Sequence, residues 1–330
     1  MPRSASRATG GWQSLCKCSR HHQPATTPAR MERERRVTRS TAHIFTVDVE
    51  EYFQVHAFEG VIRRSQWSAL PSRVAQNVDV LLDLLAEHDV TGTFFVLGWV
   101  ADRHPHVVRR IADAGHEIAS HGWWHNRVTM LQPDEFREDI RSSKALLEDI
   151  SGQLVTGYRA PSFSITPRSQ FAFDILIEEG YLYDSSVFPI RRSNYGWPGA
   201  PPIPYVKECA SGSLLEFPLA TSLWGSFRIP AAGGGYLRQL PLSIVQRAFR
   251  EHDDQGIPAV FYIHPWELDP EQPRMPVGLL TRIRHYRGLR SSRACLERLF
   301  QEFRFTSVAG RLGEGRPKLD IELPTPSAAS

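Results

Sequence analysis

The chain contains no run of about 18 uncharged apolar residues, which argues against a membrane-spanning helix. Its longest apolar stretches, such as residues 93–97, have only strand length. Cysteine is scarce: four in 330 residues do not make a disulfide framework. The first 40 residues lack the hydrophobic core segment of a secretory leader and hold no acid before Glu32. Together these absences lead us to expect a reduced, cytoplasmic protein, with peripheral attachment to an export assembly as the variant. No internal repeat is visible. Gly233-Gly234-Gly235 is not a phosphate loop, because it lacks the Lys-Ser/Thr pair and a preceding strand.

What is present is ordinary globular material. Apolar residues make up 41% and charged residues 23%, which excludes a wholly disordered chain, a collagen and a coiled coil. A chain of this length buries a core without staples. The net charge of +3 hides an asymmetry, since residues 1–40 carry nine Lys or Arg against two Glu. The remainder holds 30 basic and 34 acidic side chains, so a nucleic-acid partner is not expected.

Residues 1–40 read as a disordered basic extension. Met31 is an alternative start, and the Arg/Ser bias is one that organelle transit peptides share. Cys16-Lys17-Cys18 with His21-His22 is a weak metal candidate, lacking a second cysteine pair at zinc-ribbon spacing. The folded body is expected over 41–310, with 311–330 as a loose tail.

Within the body, residues 43–49 read as a buried strand ending in acids. Val74, Val78, Leu81, Leu82 and Leu85 have helical spacing. Further strands are expected at 91–97, 116–120, 155–158, 181–183, 214–219, 259–263 and 305–308. Helices are expected at 99–114, 133–150, 166–180, 241–251 and 291–303. Residues 189–213, rich in Pro and Gly, read as one long loop, and 231–235 as a glycine-rich bend. Strand and helix in alternation point to a parallel sheet covered by helices, as a barrel or an open doubly wound sheet.

Reactive side chains cluster where such strands end. Asp48 and Glu50 close the first strand, His121 follows the third, Arg159 the fourth, Asp184 the fifth and His264 the last strong one. In parallel α/β folds these ends share one mouth. The spacing His121-Gly122-Trp123-Trp124-His125 lets two imidazoles reach one metal ion from a helix or tight loop. Strand alternation puts Thr46, Asp48 and Glu50 on one face and Glu51 on the other. Two imidazoles and one carboxylate leave a fourth position for water, as at a catalytic zinc. An aspartyl-nucleophile phosphatase also fits the opening acids but leaves both histidines idle. Arg159 can grip a carboxylate, and His264 can donate a proton. Five of the eight tryptophans, including Trp124 and Trp266, fall in the expected loops or mouth, where sugar rings stack.

The ordered motifs Asp-x-Glu, Ser-His-x-x-x-His, Arg-x-Pro, Tyr-Asp-Ser-Ser and Ile-His resemble the polysaccharide deacetylase family of NodB-like carbohydrate esterases. The stretches 158–164 (YRAPSFS) and 261–270 (FYIHPWELDP), with His285-Tyr286, resemble its exosortase- and exopolysaccharide-associated subgroup. The resemblance covers about residues 43–308. It implies an α/β fold, a distorted and incomplete (β/α) barrel, with a family-specific segment at about 215–310. It also implies a divalent metal, zinc first, held by Glu50, His121 and His125. Asp48 would be the general base, Arg159 its orienting group, His264 the general acid and Asp184 the group orienting His264. Ser162 would lie beside the oxyanion, and Trp124 and Trp266 would contact substrate. The implied activity is release of acetate from N-acetylated amino sugars of an exopolysaccharide or its precursor. A small-molecule amidase and a catalytically silent glycan-binding protein are the alternatives. Two positions depart from the pattern: Val49 separates the opening acids, and Ser162 stands where many members carry an aromatic residue.

Overall fold

The structure, a computed structural model, describes residues 41–192 and 195–313. The basic extension, its Cys16/Cys18 and His21/His22 cluster, and residues 314–330 lie outside the described residues. Among the described residues no helix is long and apolar enough to cross a membrane.

The strands are β1 (His43–Val49), β2 (Thr93–Val96), β3 (Glu117–Ser120), β4 (Gly157–Tyr158), β5 (Tyr183–Asp184), β6 (Tyr205–Cys209), β7 (Gly212–Glu216), β8 (Thr221–Trp224), β9 (Phe227–Pro230), β10 (Val260–Ile263) and β11 (Phe305–Thr306). The main sheet runs β10-β1-β2-β3-β4-β5-β7-β6, with every pair parallel except β6 with β7. β11 pairs with the start of β1. Beyond β7 the chain returns to β10 through a single bridge, Leu219 to Val260. The result is an incomplete (β/α) barrel. The sheet curls until its two sides meet at one point, and among the described residues no continuous ladder closes it.

Strands covered on both faces read as unbroken apolar runs. β1, β2 and β10 are buried at every position, which is why their sequences stood out. The helices are α1 (Val74–Glu87), α2 (Gly98–Arg103), α3 (Pro105–Asp113), α4 (Pro133–Ser151), α5 (Phe171–Glu178), α6 (Gly234–Gln239), α7 (Leu242–Asp254), α8 (Leu279–Tyr286), α9 (Ser292–Glu302) and α10 (Val308–Leu312). α1 buries Val74, Val78, Leu81, Leu82 and Leu85 along one face. α4 opens with Pro133 and a Gln132–Glu135 capping box, and stops at Gly152 in the left-handed conformation.

Several elements differ from the sequence reading. The helix expected over 99–114 is two helices broken at His104, because Pro105 offers no N–H and its ring pushes the preceding residue out of helical geometry. The helix expected from Thr166 starts at Phe171, since Ser169 accepts the Thr166 N–H and holds the chain in a turn. The expected long loop 189–213 contains β6, which hydrogen-bonds back onto β7 and covers that edge of the sheet. The hairpin β8–β9 and the helix α8 are elements that the sequence reading does not include. The body also runs slightly past its expected end, since α10 reaches Leu312.

β4 is only two residues long, yet it aims Arg159. Gly157 makes this possible: a Cβ there would overlap the ring of Tyr183, which is fully buried and donates to Glu117 at 2.8 Å. Gly157→Ala is therefore expected to lower stability by about 1–3 kcal/mol through overpacking. Urea denaturation checks it, and an unchanged midpoint would mean that the ring can move.

Candidate active site and metal centre

The inward face of β1 presents Thr46, Asp48 and Glu50 in succession. Arg159, fully buried, meets the first two: its Nη1 donates to Thr46 Oγ1 at 2.7 Å and to Asp48 Oδ1 at 2.7 Å. Its Nε donates to the Ser185 carbonyl at 3.0 Å and its Nη2 to Ser185 Oγ at 2.8 Å. Phe95 stacks over the guanidinium at 4.2 Å. Asp48 is thereby fixed on the cavity wall.

Glu50 is the next group outward. His125 Nε2 approaches its Oε2 at 2.8 Å and His264 Nε2 its Oε1 at 3.3 Å. Burial raises the pKa of Glu50, but His125, His264 and His121 together outweigh it and hold the carboxyl at about 2. Glu51 turns the other way. It accepts from Ser72 Oγ and from the backbone N–H groups of Arg73 and Val74, which caps the start of α1. Alternation along the strand end thus separates the two acids, one into the cavity and one into a helix cap.

His121 and His125 lie on a loop, not a helix. The loop is pinned where Trp123 N–H donates to Asp139 at 2.8 Å and Gly98 N–H to the Gly122 carbonyl at 2.8 Å. His121 Nδ1 donates to the Arg159 carbonyl at 2.7 Å, which leaves the Nε2 lone pair available. Burial lowers His121 to about 4, so the ring is neutral near pH 7. The ligand atoms of Glu50, His121 and His125 lie within 4.8 Å of one another. Glu50 Oε2 is buried and set against His125 Nε2 at 2.8 Å, outside hydrogen-bond geometry. Two imidazoles and a carboxylate held ionised, gathered this closely, fit a divalent cation of borderline softness.

These groups line a cavity of about 370 Å³ together with Asp48, Ser162, His264 and Trp266. Four non-glycine residues among those described have positive φ, and His125, Ser162 and Phe163 of these line the cavity. Such strain persists where surrounding structure imposes it, often at functional sites.

For three expected residues the structure shows surroundings other than those assigned. Asp184 does not orient His264. It is fully buried, accepts from Ser186 N–H and Oγ at 2.9 and 2.6 Å, and faces Glu216 across the β5–β7 register. Burial raises both Asp184 and Glu216, and Asp184 adds to the shift of Glu216, so the two carboxyls resist carrying charge together. The acid beside His264 is instead Glu267, whose Oε1 lies 3.8 Å from Nδ1 and accepts from Arg238 Nη2 at 2.9 Å. Trp266 offers no sugar platform. His264 stacks on the indole at 4.9 Å and His285 at 4.3 Å, both nearly parallel, so both faces are occupied. Trp124 lines a separate groove with Asp134, Glu135 and Asp139, outside the cavity holding the histidines. Both histidines lie in the cavity with Glu50, an arrangement that the phosphatase reading does not use.

Sequence reasoning missed Glu267 and Arg238. One signal was an acid three residues after His264 in a proline-opened turn, a capping-box spacing. Another was the glycine run: a Cβ on Gly234 would overlap the Glu267 carboxylate, so the run makes room for this acid.

Comparisons with known proteins bear on the family and the fold. Residues 69–173 match the family model described as polysaccharide deacetylase, and residues 185–312 match one described as a domain of unknown function, DUF3473. A peptidoglycan-N-acetylglucosamine deacetylase of Bacillus cereus is 36% identical over 81 residues, 24% of this chain and 30% of that protein. A peptidoglycan deacetylase of Helicobacter pylori is 26% identical over 144 residues, 44% of this chain and 45% of that protein. The chain thus spans less than half the length of these curated relatives. Among solved structures, a Mycobacterium smegmatis structure named for a polysaccharide deacetylase superposes with TM-score 0.56 at 24% identity, covering 81% of this chain and 87% of that one. The structure titled PuuE allantoinase gives 0.55 at 17%, covering 82% and 88%. These superpositions show a shared fold, and residues 69–173 carry the likeness to the polysaccharide deacetylase family model.

Burial lowers the pKa of His264, but Glu50 and Glu267 outweigh it and bring the ring up to about 9. Its folded value exceeds the ordinary 6.5, so in metal-free protein its stabilising contribution is complete below pH 6.5 and lost as pH rises through about 9. Glu267→Gln should move that loss to lower pH. Urea denaturation across this range tests it, and identical pH profiles would refute the assignment of Glu267.

Proposed function

We propose that the protein is a metal-dependent hydrolase that removes N-acetyl groups from the amino sugars of a glycan and releases acetate. Supporting it is one observation above the others. A His-His-Glu cluster, an Arg-held aspartate and an acid-paired histidine open into the same cavity.

Glu50, His121 and His125 would hold the cation, zinc in the first place. When bound there it supplies Lewis acidity, acidifying water and polarising the acetamide carbonyl. Asp48, held in place by Arg159, accepts the proton of the attacking water. His264 enters protonated, with Glu267 Oε1 at 3.8 Å from its Nδ1 favouring the charged ring. It delivers that proton to the departing amine nitrogen, without which the C–N bond would expel a poor leaving group. The cavity wall at Ser162, strained at φ 56°, faces the reacting carbonyl as the candidate oxyanion neighbour. The products are acetate and a glucosamine-type amine. For the substrate we favour an exopolysaccharide or its precursor, because the stretch around His264 and His285-Tyr286 resembles the subgroup linked to such polymers.

Metal analysis of the purified protein and acetate release from N-acetylglucosamine oligomers test the proposal. His121→Ala and His125→Ala should each abolish bound metal and activity together. Asp48→Asn should keep the metal but lower kcat by about 10²–10⁴. Full acetate release by either histidine variant would end the reading, and turnover of small amides alone would redirect it to an amidase.

A further inference from the structure

Beside the cavity mouth lies a surface that the hydrolytic chemistry does not use. α8 presents Leu279 at 71% exposure, Leu280 at 70% and Ile283 at 45%. Ile283 lies one turn on from both leucines, at i+4 from Leu279 and i+3 from Leu280, so it joins the three side chains into one apolar patch. The opposite side of α8 is anchored. His285 is buried and bonds through Nε2 to Gln272 Oε1 at 2.8 Å, its carbonyl accepts from Arg238 at 2.8 Å, and Tyr286 OH accepts the Met275 N–H at 2.8 Å. The helix therefore cannot roll its apolar face into the core.

The charge around the patch is of one sign. Residues 272–296 hold six arginines and no acid, although the chain beyond residue 40 carries an excess of acids. Glu271 lies against Arg290 at 3.6 Å, and Glu87 and Glu297 are both engaged by Arg293. Arg282, Arg284 and Arg287 are exposed and have no carboxylate partner among the described residues. Exposed leucine and isoleucine framed by unpaired arginines match the chemistry of an anionic bilayer surface. The apolar side chains enter the acyl boundary and the guanidinium groups meet phosphate. A soluble acidic polymer would satisfy the arginines and leave the apolar side chains in water.

We infer that α8 docks the protein on an anionic lipid surface. Thr281, Arg284 and His285 of the same element line the cavity, so docking brings its mouth to headgroup level. A lipid-linked or membrane-proximal glycan would be presented there. The inference goes beyond the deacetylase reading and does not need it, because binding is measured without turnover.

The test is sedimentation of the full chain with phosphatidylcholine vesicles carrying about one-third phosphatidylglycerol, against phosphatidylcholine alone. Binding to the anionic vesicles only, weakened by salt, is expected. The triple variant Leu279→Ser, Leu280→Ser, Ile283→Ser and the double variant Arg282→Glu, Arg287→Glu should each bind at least about tenfold more weakly. Circular dichroism should be unchanged, since these side chains are exposed. No binding by the parent protein overturns the inference. So does full binding by the triple variant, which would assign attachment to another segment. Equal binding of both parent and triple variant to a soluble polyanion would make the surface a polyanion site instead.

Discussion

Arg159 has none of its surface exposed, and an ionised guanidinium without water must be matched group by group. Thr46, Asp48 and both polar atoms of Ser185 do so, with the Phe95 ring beneath. These partners come from β1 and from the segment after β5, so the cation ties separate strands of the curled sheet at the level where their ends converge. The Arg159 carbonyl in turn fixes the tautomer of His121. One buried residue thus orients the aspartate through its side chain and a candidate metal ligand through its backbone.

A second centre of charge sits across the cavity. Arg238 from α6 and Glu267 from the turn after β10 form a buried pair that leans on His264, while His264 also faces Glu50. The region after residue 185, matched as a domain of unknown function, therefore supplies half of the residues that line the cavity and is no appendage. It also supplies α8, whose inner face helps build the cavity wall and whose outer face remains uncovered.

Much of this was legible from residue order. Buried parallel strands are continuous apolar runs, so β1, β2 and β10 announced themselves, and acids and histidines just after such runs pointed to a common mouth. Strand alternation and an H-x-x-x-H spacing put Asp48, Glu50, His121 and His125 at one pocket, and the family resemblance singled out Glu50 as the ligand. Less legible were elements set by pairing or turns. β6 has no period of its own and exists because β7 lies beside it, and α3 begins where Pro105 interrupts.

Local chemistry by itself determined which side chains could react and roughly where along the chain they stood, because strand alternation and proline or glycine punctuation act over a few residues. Which acid partners which base was settled only in three dimensions. Asp184 sits at a strand end like Asp48, yet the barrel's curvature turns it toward Glu216 and away from His264, whose partner Glu267 occupies space left open by Gly234. Likewise Trp266 looked like a sugar platform until folding laid a histidine on each of its faces. Partnership inside a protein depends on distance through space, and distance along the chain does not encode it.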